Sequence, residues 1–246
     1  MIKLFTHTDL DGIGCAILAF CAFYEKNVDV TYCNYDTINE KLKEMIDTPQ
    51  SFDAIFITDI SPNEEIAAEL DACYCNIRLL DHHSGLEYLD KYPWVTIDLE
   101  SCGTKLFYEE LCKIESSFED TELTRKMRDI HICSDGAYKA FVYEVFLYDT
   151  WKWKDAGFIG ISAKAMNDLL YIYQRDEFIK WAMNQLTEIS NERGKYNFRN
   201  IDAYPFPRFT ERDNILLDMK DAQLARQIEY ADKRMVKTDL LGYHVG

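Results

Sequence analysis

The stretch Ala54-Ile55-Phe56-Ile57-Thr58-Asp59-Ile60 is apolar at almost every position. A strand that buries one face alternates apolar and polar residues, so a run of this kind predicts a strand covered on both faces, as in a parallel sheet. Its neighbours extend the theme. Ile2 to Thr6, Val28 to Cys33, Ile77 to Leu80 and Trp94 to Leu99 read as further strands. Between them, Gly12 to Tyr24 and Thr37 to Ile46 carry apolar residues at helical spacing, and Ser61-Pro62 reads as the cap and first position of another helix. Strands alternating with helices predict an α/β fold: a five-stranded parallel doubly wound sheet with right-handed crossovers, in the order 2-1-3-4-5.

After Ser101 the pattern turns helical. Thr104 to Ile114, Glu122 to Cys133, Tyr138 to Leu147 and Ala163 to Ile189 show helical spacing, and 194–209 reads as an ordered loop bearing proline and aromatic residues. Glu211 to Val236 predicts a long connecting helix, and Leu240 to Gly246 reads as a strand that has just begun. The expected organisation is therefore a first domain over 1–205, with an α/β core over 1–115 and a helical part over 116–205. A helical linker over 206–238 follows, and 239–246 reads as the start of a further domain.

The formal net charge is −16. Binding to long nucleic acid is mostly phosphate neutralisation by Lys and Arg, so a broad polyanion-binding face is excluded. An anionic substrate must then be short and held at a focused site, where a metal could supply the missing positive charge. Most of the eight cysteines lie in apolar surroundings, Cys15, Cys21, Cys33, Cys112 and Cys133 among them, and the close pair Cys73/Cys75 is CxC rather than CxxC. The expectation is reduced, buried thiols, a cytoplasmic location and no membrane span.

Three strand ends carry chemistry. His7, Asp9 and Asp11 alternate, so in an extended segment all three can face one side, and Gly12 lets the chain turn away tightly. One aspartate here would suffice to cap the following helix; a histidine and two aspartates are more than a cap needs. Asp59 ends the third strand, where an ordinary turn residue would also fit. Asp81, His82 and His83 end the fourth, and two imidazoles beside a carboxylate make good metal ligands. In the order 2-1-3-4-5, strands 1, 3 and 4 are adjacent at the switch point where ligands bind. Strand 2 ends in Cys33-Asn34-Tyr35-Asp36 and offers no comparable group. So many carboxylates in one crevice repel one another unless cations intervene. The oxygen and imidazole donor set suits two divalent ions, Mn²⁺ best, with Mg²⁺ and Co²⁺ as alternatives.

His7-x-Asp9-x-Asp11-Gly12, Asp59 and Asp81-His82-His83 resemble, in order, the first motifs of the DHH phosphoesterases, which include RecJ-type nucleases and family II pyrophosphatases. Asp149, in Leu147-Tyr148-Asp149-Thr150-Trp151-Lys152-Trp153, is similar to that family's later aspartate; without the resemblance it would read as a helix-end residue. The context looks most like the nanoRNase, or oligoribonuclease, branch called NrnB-like, with the glycine-rich second domain of that family not found. The resemblance implies that His7 and Asp9 hold one metal, that Asp11, His82 and Asp149 hold the other, and that Asp59 bridges them. It implies that His83 contacts the scissile phosphate, that Asp81 orients a neighbouring histidine, and that a water activated by the two metals attacks phosphorus. The implied activity is hydrolysis of short RNA oligonucleotides or linear dinucleotides to mononucleotides. A pyrophosphate or short-polyphosphate hydrolase, or a non-catalytic small-nucleotide-binding module, are the rivals. Tyr204, Phe206, Phe209 and the Trp151/Trp153 pair are candidates for base stacking, although such aromatics are more often core. The oligomeric state is left open, a dimer included.

Overall fold

The first three strands owe their places to their side chains. In the computed structural model, which describes residues 1–48, 50–117, 121–127, 131–192, 206–234, 238–240 and 243–245, β1 (Ile2–Thr6) and β3 (Ala54–Thr58) are buried along their whole length. They pair in parallel, with Leu4 opposite Phe56. β2 (Val28–Tyr32) flanks β1 and is only partly covered, as suits an edge. β4 (Ile77–Asp81) and β5 (Val95–Ile97) complete a sheet of order β2-β1-β3-β4-β5, parallel throughout. This is the doubly wound architecture read from the alternation of strands and helices.

Alternate residues of β3 feed opposite faces. Ile55 and Ile57 join a core with Leu42, Leu70 and Leu79 under α2 (Ile38–Asp47) and α3 (Glu64–Cys73). Phe56 turns the other way. Its ring lies 6.3 Å from that of Phe23, on α1 (Leu10–Phe23), and 5.0 Å from that of Phe107, on α4 (Gly103–Ser116).

The helical part comprises α5 (Glu122–Met127), α6 (Gly136–Asp149), α7 (Gly157–Tyr173) and α8 (Arg175–Asn191). α1 packs against α4, α6 and α8, so the helices are an extension of one face of the sheet. Four expectations are corrected here. The helical stretch over 163–189 is two helices that begin earlier, broken at Gln174, whose φ of 64° lies in the left-handed region. The third helix begins at Glu64 with Asn63 as its cap, Oδ1 accepting from Ile66 N at 2.9 Å; Ser61 and Pro62 precede it. Cys112 and Cys133 are not free thiols: they form a disulfide, with Cα atoms 5.3 Å apart, because α4 ends beside the loop that follows α5. Cys73 and Cys75 are free and exposed rather than buried.

Residues Met1–Pro207 form one compact unit and Arg208–Gly246 a second. The second holds α9 (Glu211–Arg234) and an antiparallel pair, β6 (Thr238–Leu240) with β7 (Tyr243–Val245). α9 opens on a reciprocal cap in which Asp213 Oδ2 accepts from Thr210 N and Oγ, both at 2.7 Å. Among the described residues no helix is long and apolar enough to cross a membrane. Most of the 194–209 loop, with Tyr204, lies outside the described residues.

Candidate metal centre

All the strand-end residues read from the sequence come together beyond the carboxyl ends of β1, β3 and β4. The chain leaves β1 through His7, and Asp9 then caps α1, its Oδ1 accepting from Gly12 N at 3.1 Å. The capping role and the site role therefore coexist in Asp9. Its other oxygen lies 2.9 Å from His7 Nδ1, which in turn is 3.9 Å from Asp59 Oδ2. His7, Asp9 and Asp59 form one cluster of donor atoms within 4.8 Å of one another.

A second cluster joins Asp11, His82 and Asp149. His82 Nε2 lies 3.1 Å from Asp59 Oδ1, 3.5 Å from Asp149 Oδ2 and 3.6 Å from Asp11 Oδ2. Asp59 touches both clusters, and Asp149, the last residue of α6, is carried in from the helical part. Asp59 has a φ of 59°, a left-handed backbone that aspartate tolerates better than most residues but that still costs energy. Its N–H donates to Leu80 O at 3.0 Å, so the last rung of the sheet pins it.

Asp81 plays a different part. Oδ1 accepts from His82 N at 2.7 Å and from His83 Nδ1 at 2.7 Å, and Oδ2 accepts from Ser61 Oγ at 2.5 Å. Asp81 thereby fixes the orientation of His83, and it also belongs to a third group of donor atoms, Asp59, Asp81, His82 and His83, that lie within 4.8 Å of one another. Ser61, read as a helix cap, is thus a hydrogen-bond partner of the site.

Two further contributions escaped sequence reading. Asp11 is buried, and its carboxylate accepts from Gly103 N at 2.5 Å and Thr104 N at 2.8 Å, at the start of α4. The helix dipole there favours the negative charge. A Cβ on Gly103 would lie 2.6 Å from Asp59 Cβ, so only glycine permits this approach. Ser101-Cys102-Gly103-Thr104, small residues opening a helix, was the available signal. The other is Tyr35, just past β2. That strand's tip, expected to offer nothing, places the Tyr35 hydroxyl 3.0 Å from His83 Nε2 and the ring 5.2 Å from that of His7.

The electrostatics are those of crowded carboxylates. Burial, then the charges of Asp11 and Asp9, push Asp59 well above the usual aspartate range. The same causes push Asp149 up to about 8. Burial also opposes ionisation of Asp9 and Asp81, but is outweighed by His7 and the Gly12 N–H at Asp9, and by His83 and Ser61 at Asp81, so both sit below the usual value. His82 is lowered by burial, while His83 is raised by its hydrogen bond to Asp81.

A divalent cation fits this donor set. Asp59 Oδ2 and Asp149 Oδ2 are buried with no hydrogen-bond donor, and His7 Nδ1 faces only carboxylates, Asp9 at 2.9 Å and Asp59 at 3.9 Å, a costly state for polar atoms unless a ligand engages them. No Lys or Arg among the described residues pairs with Asp9, Asp11, Asp59, Asp81 or Asp149.

Comparison with known proteins agrees with this chemistry. The chain is similar over its whole length to oligoribonuclease NrnB of Bacillus subtilis (strain 168), with 28% identity over 259 residues covering 56% of that protein. It is also similar, over 48% of its length, to a 3',5'-cyclic-nucleotide phosphodiesterase of Helicobacter pylori (strain ATCC 700392 / 26695), with 30% identity and 38% of that protein covered. The chain thus spans about half the length, or less, of these curated relatives. A crystal structure of an uncharacterized protein from Helicobacter pylori G27 shares its fold, with a TM-score of 0.58 and 24% identity over 91% of this chain and 63% of that one. No family model matches. The aromatic candidates separate as well: Phe206 is core, its ring edge-on to Phe141 at 5.6 Å, Phe209 is half-buried, Trp153 stacks on Tyr148, and Trp151 is exposed.

Proposed function

We propose that this chain carries the metal centre of a phosphodiesterase that cleaves short RNA oligonucleotides or linear dinucleotides to mononucleotides. The observation that carries the reading is the pair of donor clusters meeting at Asp59, with two buried carboxylate oxygens that have no hydrogen-bond donor. The names of the two curated relatives, an oligoribonuclease and a cyclic-nucleotide phosphodiesterase, support the coarser reading of a nucleotide phosphodiesterase.

In this reading His7 and Asp9 hold one divalent cation, Asp11, His82 and Asp149 hold a second, and Asp59 serves both. Mn²⁺ is the first choice, with Mg²⁺ and Co²⁺ as alternatives. When bound, such a pair lowers the pKa of water and neutralises charge on the phosphate oxygens. The chain's own residues then do the positioning. Gly103 N and Thr104 N donate to the buried Asp11 carboxylate and fix its orientation. Asp81 accepts from His83 Nδ1, which leaves Nε2 free to meet a phosphate oxygen once Tyr35 yields. The hydrogen bond to Asp81 raises the pKa of His83 and so favours the protonated ring, in which Nε2–H can donate to that oxygen. The acidic surface repels long polyanions and favours a substrate of a few nucleotides.

The test is hydrolysis of pApA and of 2–5-mer RNA by the purified chain with Mn²⁺. Cleavage should vanish with a chelator or with Asp59→Ala. Full activity surviving either treatment would remove the two-metal reading. Phosphate release from pyrophosphate with pApA left intact would replace it with a phosphoanhydride hydrolase, and tight dinucleotide binding without turnover would replace it with a binding module.

A further inference from the structure

Two residues beyond Asp149 the chain exposes an indole. Trp151 is 66% exposed, in left-handed backbone with a φ of 60°. Two peptide units separate it from Asp149, so their Cα atoms are within about 7 Å of each other. The turn that presents it is well fastened. Thr150 Oγ donates to Phe146 O at 2.6 Å, and Trp151 N donates to Tyr148 O at 3.1 Å. A 3-10 turn over Lys152–Lys154 follows, and the Trp153 ring stacks on Tyr148 at 6.2 Å with 19° between planes. Gly160 of α7 lies so close that a Cβ there would sit 1.8 Å from Trp153 O. Neighbouring Trp153 is packed, whereas Trp151 is held out in water by a left-handed backbone, a feature that clusters at functional sites.

The charges around it are unusual for this chain. Lys154 Nζ lies 4.4 Å from the Trp151 ring centroid, and Lys152 and Lys105 lie 4.3 Å and 4.9 Å from the Phe146 ring centroid. Lys152 and Lys154 pair with no carboxylate among the described residues, although the chain as a whole is acidic. An exposed π-face flanked by unpaired cations, next to a site for phosphate chemistry, has the composition of a nucleotide-binding platform.

We propose that Trp151 stacks the nucleobase attached to the scissile phosphate, with Lys152 and Lys154 receiving the neighbouring phosphate. This rests on the reading of the metal centre as that of a nucleotide phosphodiesterase and adds a base-dependent subsite to it. A π-face accepts any base, so the platform favours nucleotides over bare sugar phosphates without selecting sequence.

The experiment compares AMP with ribose 5-phosphate as inhibitors of pApA cleavage and as direct ligands by calorimetry with Mg²⁺. Wild type should bind AMP tighter, on the order of tenfold. Trp151→Ala should bring the two ligands together and raise KM for pApA by about the same factor, with a smaller change in kcat, and Trp151→Phe should restore most of the difference. An AMP advantage that is missing in wild type, or that persists in Trp151→Ala, overturns the platform. The binding arm stands apart from turnover. A Trp151-dependent preference for AMP in a protein that cleaves no dinucleotide would keep the platform and remove the proposed reaction; cleavage with no such preference would do the reverse.

Discussion

The two ends of the sheet treat acidic side chains in opposite ways. At the amino end each is matched. Asp53 accepts from the Met1 ammonium and from Lys126, Asp71 accepts from Trp94 Nε1 at 2.8 Å, and Glu110 lies 3.4 Å from Arg78 Nε. At the carboxyl end Asp9, Asp11, Asp59 and Asp149 meet histidines, N–H groups and one another, and two buried carboxylate oxygens, Asp59 Oδ2 and Asp149 Oδ2, have no hydrogen-bond donor. A recess of about 650 Å³, lined by Asp71, Tyr74, Arg78 and Trp94, lies at the amino end. The contrast teaches that neither acidic side chains nor a recess by itself marks a site. What marks it is charge left unneutralised at a cost in stability, which persists only if something outside the chain repays that cost.

Equivalent substitutions at the two ends should break the comparison if it is wrong. Asp59→Ala is expected to lower Mn²⁺-dependent cleavage by at least about 10³-fold. Asp53→Ala should leave kcat within about twofold while costing about 1–2 kcal/mol of stability in denaturant melts. The stabilities of the two ends should also respond oppositely to metal and pH. Between 3.8 and about 8, folded Asp149 holds a proton that the unfolded chain has given up. Asp149, with Asp59 in the same direction, should therefore lower metal-free stability as pH rises through that window, opposed by His82, whose lowered pKa works the other way below 6.5. Adding Mn²⁺ or Mg²⁺ at about 100 times its Kd should restore about 2.7 kcal/mol, seen as a rise in Tm at pH 8 and little change at pH 5. A metal-free Tm that climbs from pH 5 to pH 8 would contradict the assignment of crowded, uncompensated carboxylates.

The same contrast explains what the sequence disclosed. The sheet was legible because burial on both faces leaves a continuous apolar run, and its order followed from general topology. The strand-tip residues were legible because His7, Asp9 and Asp11, or Asp81, His82 and His83, lie within a few positions of one another. What stayed hidden depends on distant partners. Nothing near Asp11 in sequence announces that Gly103 and Thr104 will receive its carboxylate, and nothing near His83 points to Tyr35. Ser61 precedes a proline and matched a cap, yet Asn63 holds that role and Ser61 turns to Asp81. Gln174 interrupts a stretch whose helical spacing continues on both sides, so the break is a backbone event that periodicity does not record. The Cys112–Cys133 bond likewise follows from tertiary placement, since sequence alone leaves cysteine pairing open.

That bond offers a control on the helical part. It closes a loop with a sequence separation of 21, and loop-closure entropy gives it about 3 kcal/mol. Cys133→Ser, or reduction, should lower stability by about that amount. The metal-induced rise in Tm should persist, because neither cysteine touches the site. If the metal response disappears with the disulfide, the centre depends on the helical part for more than Asp149.

The smallest expected effect gives the finest comparison, because it deletes one hydrogen bond at each end of the sheet. Ser61→Ala removes a donor to buried Asp81, and Trp94→Phe removes the donor to Asp71. Each should cost about 1 kcal/mol of stability, the usual worth of such a bond. Only the first should reach the chemistry. Without Ser61, one Asp81 oxygen loses its partner and Asp81 ionises less readily, so its hold on His83 Nδ1 weakens and the ring can turn away from the position facing Tyr35. Loss of such a supporting contact is expected to lower kcat about tenfold, with KM little changed. Trp94→Phe should leave both constants at wild-type values. Equal kinetic effects from the two substitutions would mean that stability alone is being read, and the distinction between the two ends of the sheet would lose its functional content.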